Sequence, residues 1–169
     1  MILAGDVGGT KTLVGLFEPR PMRPALVTMD AFPTLEHADL PSVVAAFLRS
    51  RDVPPGRVVA ACFGVAGPVI GTTAKLTNAP WTIDARAVGD AFGIPRVTLL
   101  NDLQAMAYAV PVLEAAELHV LQEGTAQGEG NMALIAAGTG LGEALLHQVD
   151  GRFVPSPSEG GHADWAARG

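Results

Sequence analysis

Apolar positions along this chain follow two rhythms. Short apolar runs mark strands, and one stretch carries the three-and-four spacing of a helix face. Residues 2–5 form a short apolar run that ends in the turn-forming segment Asp6-Val7-Gly8-Gly9-Thr10, and residues 13–17 and 25–32 read as second and third strands. Asp39 has the position of an N-cap, with Pro41 in the first turn, where its missing N–H costs nothing. Behind it Leu40, Val43, Val44, Phe47 and Leu48 fall at i, i+3, i+4, i+7 and i+8 and predict one buried helix face. The unbroken apolar run 57–65 predicts a strand buried on both faces. Residues 84–92 predict a second helix, with Gly93 as its left-handed stop, and 97–100 a further buried strand that runs into Asn101-Asp102.

Residues 103–110 then predict a helix that Pro111 ends. Beyond it, 119–122, 132–136 and 143–149 read as strands, 123–131 as a loop, and Asp150-Gly151 as a tight type I′ turn into 152–154. The order β-β-β-α-β-α-β-α, followed by a fresh set of strands, predicts an α/β fold in which an antiparallel hairpin leads into a mixed sheet. Residues 1–110 are expected to form a small α/β domain. Residues 111–169 are expected to be the incomplete start of a second one, because its strands have few helices to cover them.

Composition narrows the class. The chain has 169 residues, 49% hydrophobic and 17% charged, which excludes a disordered polymer. A formal charge of −6 supplies no basic stripe for phosphate backbones, so no nucleic-acid partner is expected. Cys62 is the single cysteine, which excludes a disulfide framework and a cysteine-based zinc cluster and leaves a buried inert thiol as its expected state. Asp6 interrupts the first apolar run too early for a signal peptide, and no run of about 18 apolar residues occurs that could span a membrane. A soluble, cytoplasmic protein is expected.

Four segments can carry chemistry. In Asp6-Val7-Gly8-Gly9-Thr10 two glycines allow close backbone approach, backbone N–H groups and Thr10 can bind phosphate oxygens, and Asp6 can hold Mg²⁺ directly or through water. An ordinary glycine hairpin explains the same residues. Gly138-Thr139-Gly140-Leu141-Gly142 is a second turn of this kind between two strands. Asn101-Asp102 ends a strand and opens a helix, the place where open α/β sheets bind ligands; helix capping is the competing explanation. Ser158-Glu159-Gly160-Gly161-His162 sets a carboxylate and an imidazole on a tight turn that can share a sugar's vicinal hydroxyls, or it is a solvated turn. Asn78 can add amide hydrogen bonds to a pocket, whereas Trp81 is better explained by core packing.

Taken in order, Gly5 to Thr10, Gly64 to Val69, Thr77-Asn78 with Trp81, Asn101-Asp102, Gly138 to Gly142 and Glu159-Gly160-Gly161-His162 resemble the bacterial-type glucokinases, of the sugar kinase, Hsp70 and actin superfamily. The resemblance implies an actin-like ATPase (ribonuclease H-like) fold and transfer of the ATP γ-phosphoryl group to the 6-hydroxyl of D-glucose with Mg²⁺. It makes Gly5, Asp6, Val7, Gly8, Gly9 and Thr10 the first phosphate motif and Gly138, Thr139 and Gly140 the second. Asp102 becomes the base toward the sugar hydroxyl, with Asn101, Asp102, Glu159, His162 and Asn78 as substrate ligands. Related ROK kinases follow their Gly-His with a cysteine-rich zinc motif; Ala163-Asp164-Trp165 stands here, so no zinc is expected. Family members are substantially longer, with an adenosine site beyond residue 169, so the chain is expected to be an N-terminal fragment, the alternative being a naturally short relative that has lost the nucleotide base pocket. A non-catalytic sugar-binding or regulatory relative, and a kinase for another hexose, are the alternatives, and the open apolar strands predict a tendency to self-associate.

Overall fold

The computed structural model describes residues 1–125, 130–137, 141–158 and 160–163. The chain divides into two compact units, Met1–Asp102 and Leu103–Gly169.

The first unit is built on a five-stranded mixed sheet. Strands β1 (Ile2–Val7), β2 (Lys11–Glu18) and β3 (Ala25–Pro33) form an antiparallel meander, and helix α1 (Leu40–Ser50) leads to β4 (Ala60–Val65), which lies parallel to β1. A small antiparallel sheet follows, made of β5 (Val69–Ile70), β6 (Thr73–Lys75) and β7 (Thr82–Asp84). Helix α2 (Ala85–Phe92) then returns the chain to β8 (Val97–Asn101), parallel to β4, and completes the order β3-β2-β1-β4-β8. The expected hairpin leading into a mixed sheet is therefore present.

Local chemistry accounts for both helices. The Asp39 carboxylate accepts from Ser42 N–H at 2.8 Å while Asp39 N–H donates to the Ser42 hydroxyl at 3.3 Å, a reciprocal cap on the first turn of α1. Asp84 caps α2 by accepting from Arg86 N–H at 2.9 Å, and Gly93 ends it with φ +63°, a conformation that glycine adopts without a Cβ penalty. Leu3 and Val7 of β1, Val14 and Leu16 of β2, and Phe63 and Val65 of β4 point to one sheet face, where they bury the α1 stripe Leu40, Val43, Val44 and Phe47. Trp81 belongs to this core and is 4% exposed, in keeping with a packing role.

Two boundaries differ from the sequence pattern. The strand expected over 57–65 begins only at Ala60, because the Pro54-Pro55-Gly56 turn, with Gly56 at φ +76°, delivers Val58 to the core before the ladder starts. The small β5–β7 sheet was not predicted, since strands of two or three residues are too short to show a period of two.

Helix α3 (Asp102–Ala109) begins on the last residue of the first unit, and its remainder, in the second, runs into a 3-10 turn at Val110–Val112. Strands β9 (Met132–Ala137), β10 (Leu141–Val149) and β11 (Arg152–Ser158) form an antiparallel sheet in the order β11-β10-β9. Asp150 (φ +49°) and Gly151 (φ +74°) make the expected β10–β11 turn. Ala107, Ala144 and Leu146 are its buried centre. The strand expected over 119–122 does not form: Val120 and Leu121 are 61% and 91% exposed, and no described strand pairs with them. An isolated extended segment cannot satisfy its own backbone groups, so the apolar run alone was not enough.

Candidate functional site

Three parallel strands end together. The register places Val7, Val65 and Asn101 side by side on β1, β4 and β8, and one step earlier Asp6, Gly64 and Leu100. The chain therefore leaves all three strands at one sheet edge, through Gly8, Ala66 and Asp102, and Ala66 N–H extends the ladder to Val7 C=O at 3.0 Å. Carboxyl ends of neighbouring parallel strands are where α/β sheets expose backbone groups and polar side chains to a ligand.

At that edge β1 turns into β2 with Gly8 N–H donating to Lys11 C=O at 3.1 Å. Gly9 is where the turn packs against Asn78. A Cβ there would lie 2.8 Å from the Asn78 Cβ and 3.0 Å from its carbonyl oxygen, so the turn and the 77–78 segment fit together only through a glycine. Thr77 N–H in turn donates to Ala66 C=O at 3.1 Å, and Asn101 Nδ2 donates to Gly67 C=O at 3.4 Å. Gly67 is itself pressed against the Lys75 carbonyl, which a side chain would overlap. Asp6, Gly8, Gly9, Asn78, Asn101 and Asp102 are thus gathered by backbone packing within the first unit.

The electrostatics of the cluster are shared. Partial desolvation is the main reason that the Asp6 carboxyl is raised above its ordinary value; the neighbouring Asp102 charge adds to the rise and Lys11 opposes it. The folded form therefore holds this proton more tightly than the unfolded chain does. That contribution favours folding at pH below about 3.8, the ordinary Asp6 value, and fades as pH rises through the folded one. Asp6→Asn removes a partly desolvated charge together with its repulsion from Asp102, so the expected result is a slightly higher thermal midpoint at pH 7 and a shallower decline in stability above pH 4, read by calorimetry across pH. A midpoint that falls at pH 7 would contradict a net unfavourable Asp6 charge in the folded protein.

The Asp6 carboxylate is of the kind that can hold a hydrated Mg²⁺, which takes few protein oxygens and completes its shell with water and phosphate. Among the described residues no group of three or more His, Cys, Asp or Glu could hold a metal on its own. Burial pushes the Cys62 thiol up, as fits an inert packing residue. Sequence inspection missed Thr12 and Thr34, two fully buried hydroxyls behind the glycine turn. The one available signal was Thr12 standing in line with Val14 and Leu16 on the core face of β2.

In the second unit Gly160 and Gly161 form a 3-10 turn against β10. Gly160 N–H donates to the Ser158 hydroxyl at 3.0 Å, the Ser158 hydroxyl donates to Glu143 at 3.4 Å, and a Cβ on Gly161 would overlap the Leu141 carbonyl. Gly138, Thr139, Gly140 and Glu159 lie outside the described residues, as does the His162 side chain.

The glucokinase family model matches residues 3–169. The chain belongs to the glucokinase family. It is 39% identical over 170 residues to a glucokinase of Nostoc punctiforme, covering 99% of this chain and 49% of that protein. A Trichormus variabilis glucokinase is 38% identical over 169 residues, with the same coverage. The crystal structure of a glucokinase from an Antarctic psychrotroph superposes with a TM-score of 0.87 at 29% identity, over 99% of this chain and 52% of that one. The fold is accordingly that of the glucokinases, the actin-like ATPase fold, and the chain spans about half the length of the relatives it matches. Among the described residues no helix is long and apolar enough to cross a membrane.

Proposed function

We propose that the full-length protein is a glucokinase that transfers the γ-phosphoryl group of ATP to the 6-hydroxyl of D-glucose. The observation that carries this reading is the meeting of the Gly8–Gly9 turn, Asp6 and Asp102 at the carboxyl ends of β1, β4 and β8. Phosphoryl transfer demands positioning and charge neutralisation more than covalent participation; here the glycine-turn N–H groups and a bound Mg²⁺ would supply the neutralisation. The turn's N–H groups and Thr10 hold phosphate oxygens. Asp102 accepts the proton of the 6-hydroxyl as its oxygen attacks phosphorus, while Asn101 and Asn78 orient the sugar. Asp6, with Asp102 beside it, is the anchor for Mg²⁺, which when bound neutralises phosphate charge.

Gly138, Thr139 and Gly140 serve as the second phosphate motif, and Glu159 and His162 as further sugar ligands, a reading supported by the order of motifs within the matched family segment. Residues 1–110 are read as the small domain and 111–169 as the start of the large one, in a cytoplasmic enzyme that acts on a free sugar.

Titrating glucose into the full-length protein with and without Mg²⁺ and ATP tests this reading. Mutual tightening of the two ligands, abolished by EDTA, is the expected outcome. Sugar binding indifferent to nucleotide would instead mark a non-catalytic sugar-binding relative, and tighter coupling with a different hexose would reassign the substrate.

A further inference from the structure

The glycine turn is held from behind by a residue that lies outside every motif. Thr34 opens the 3-10 turn after β3, 24 positions beyond Thr10 in the sequence, and is fully buried. Its N–H donates to Thr10 C=O at 3.0 Å, and its hydroxyl donates to Gly8 C=O at 2.7 Å. A hydroxyl has one proton. With that proton committed to Gly8, the 2.9 Å contact between the Thr12 and Thr34 hydroxyls must run from Thr12 to Thr34. Two buried hydroxyls thus form a directed chain, Thr12 to Thr34 to the Gly8 carbonyl.

The consequence for the turn follows from the planar trans peptide, in which C=O and the next N–H point opposite ways. Anchoring the Gly8 carbonyl on Thr34 turns the Gly9 N–H away from Thr34. Among the described residues, neither Gly9 N–H nor Thr10 N–H makes a backbone hydrogen bond. A backbone N–H without a backbone partner is the kind of donor that an anion recruits.

We propose that Thr34 is the positioning residue of the phosphate-binding turn, fixing the peptide plane that presents Gly9 N–H to a nucleotide phosphate. This rests on the kinase reading above. Buried hydroxyls here do more than stabilise the core: they set the direction of a donor at the site. Valine, the isosteric replacement, keeps the packing and deletes the hydrogen bond.

The test uses the full-length protein with Thr34→Val, Thr34→Ser and Thr12→Val, measuring Mg–ATP affinity by calorimetry, glucose affinity without nucleotide, and thermal midpoint. Loss of one buried bond to the turn is expected to weaken Mg–ATP about tenfold in Thr34→Val while leaving glucose affinity within about twofold. Serine, which retains the donor, is expected to recover nucleotide affinity to within about threefold of wild type. Thr34→Val that folds, shows a lowered midpoint and yet binds Mg–ATP as the wild type does would overturn the proposal and leave the kinase reading intact. A wild-type protein with no affinity for Mg–ATP would overturn both. Should Thr34→Val fail to fold, Thr12→Val decides: it strips the donor that polarises Thr34 and is expected to weaken Mg–ATP about threefold, and unchanged affinity would overturn the positioning role of Thr34.

Discussion

Asp102→Asn in the full-length protein is expected to keep glucose affinity and to lose turnover by about 10²–10⁴-fold, the usual worth of a positioned general base. Asparagine has nearly the same shape, so hydrogen bonds to the sugar and the start of α3 survive the change. It has no site of comparable basicity for the 6-hydroxyl proton, and the cost falls on kcat rather than on sugar binding. Stopped assays for kcat, paired with equilibrium glucose titration, separate these terms. Turnover within tenfold of wild type would remove Asp102 from the proton-accepting role. A matching loss of glucose affinity would assign it to binding alone.

Phe63→Ala is expected to destabilise the first unit by about 3–5 kcal/mol, a large part of a typical domain's total stability. Phe63 is fully buried, and its ring occupies the notch left by the missing side chain of Gly5: a Cβ on Gly5 would lie 2.7 Å from Phe63 Cδ1. Gly5 and Phe63 are register partners on β1 and β4, next to Asp6 and Gly64. Emptying this position leaves a cavity directly beneath the strand ends that carry the site. Chemical denaturation of Phe63→Ala reads the loss, and Phe63→Leu, which keeps most of the volume, is expected to lose distinctly less. Equal stability of Phe63→Ala and wild type would contradict the packing described.

Much of this organisation is written in local patterns. The α1 stripe, the Asp39 cap, the Gly93 stop and the Asp150-Gly151 turn each depend on residues close in sequence, and each appears where the pattern places it. The five-stranded sheet was readable as a class because three strands precede the first helix. Contacts between distant segments were not readable. Nothing in residues 77–78 announces that Asn78 will rest on Gly9, and nothing in Thr34 announces a bond to Gly8. The 119–122 run shows the converse limit, since an apolar strand pattern without a partner strand remains an exposed segment.

Asp6 and Asp102 illustrate what the sheet adds to the motifs. Ninety-six positions separate them in the chain, and only the parallel register of β1, β4 and β8 brings their charges into mutual influence. Each residue alone is explained by a hairpin turn or a helix cap. Together, beside the Gly8–Gly9 turn, they make a cluster that neither local explanation accounts for.

In the proposed reaction this site transfers phosphate to a sugar hydroxyl. Glucose 6-phosphate formation, coupled to its NADP-dependent oxidation and run on the full-length protein with ATP and Mg²⁺, tests it most directly. Product that appears with glucose, depends on Mg²⁺ and disappears in Asp102→Asn is the predicted result. ATP and glucose bound together at this site without product would contradict it.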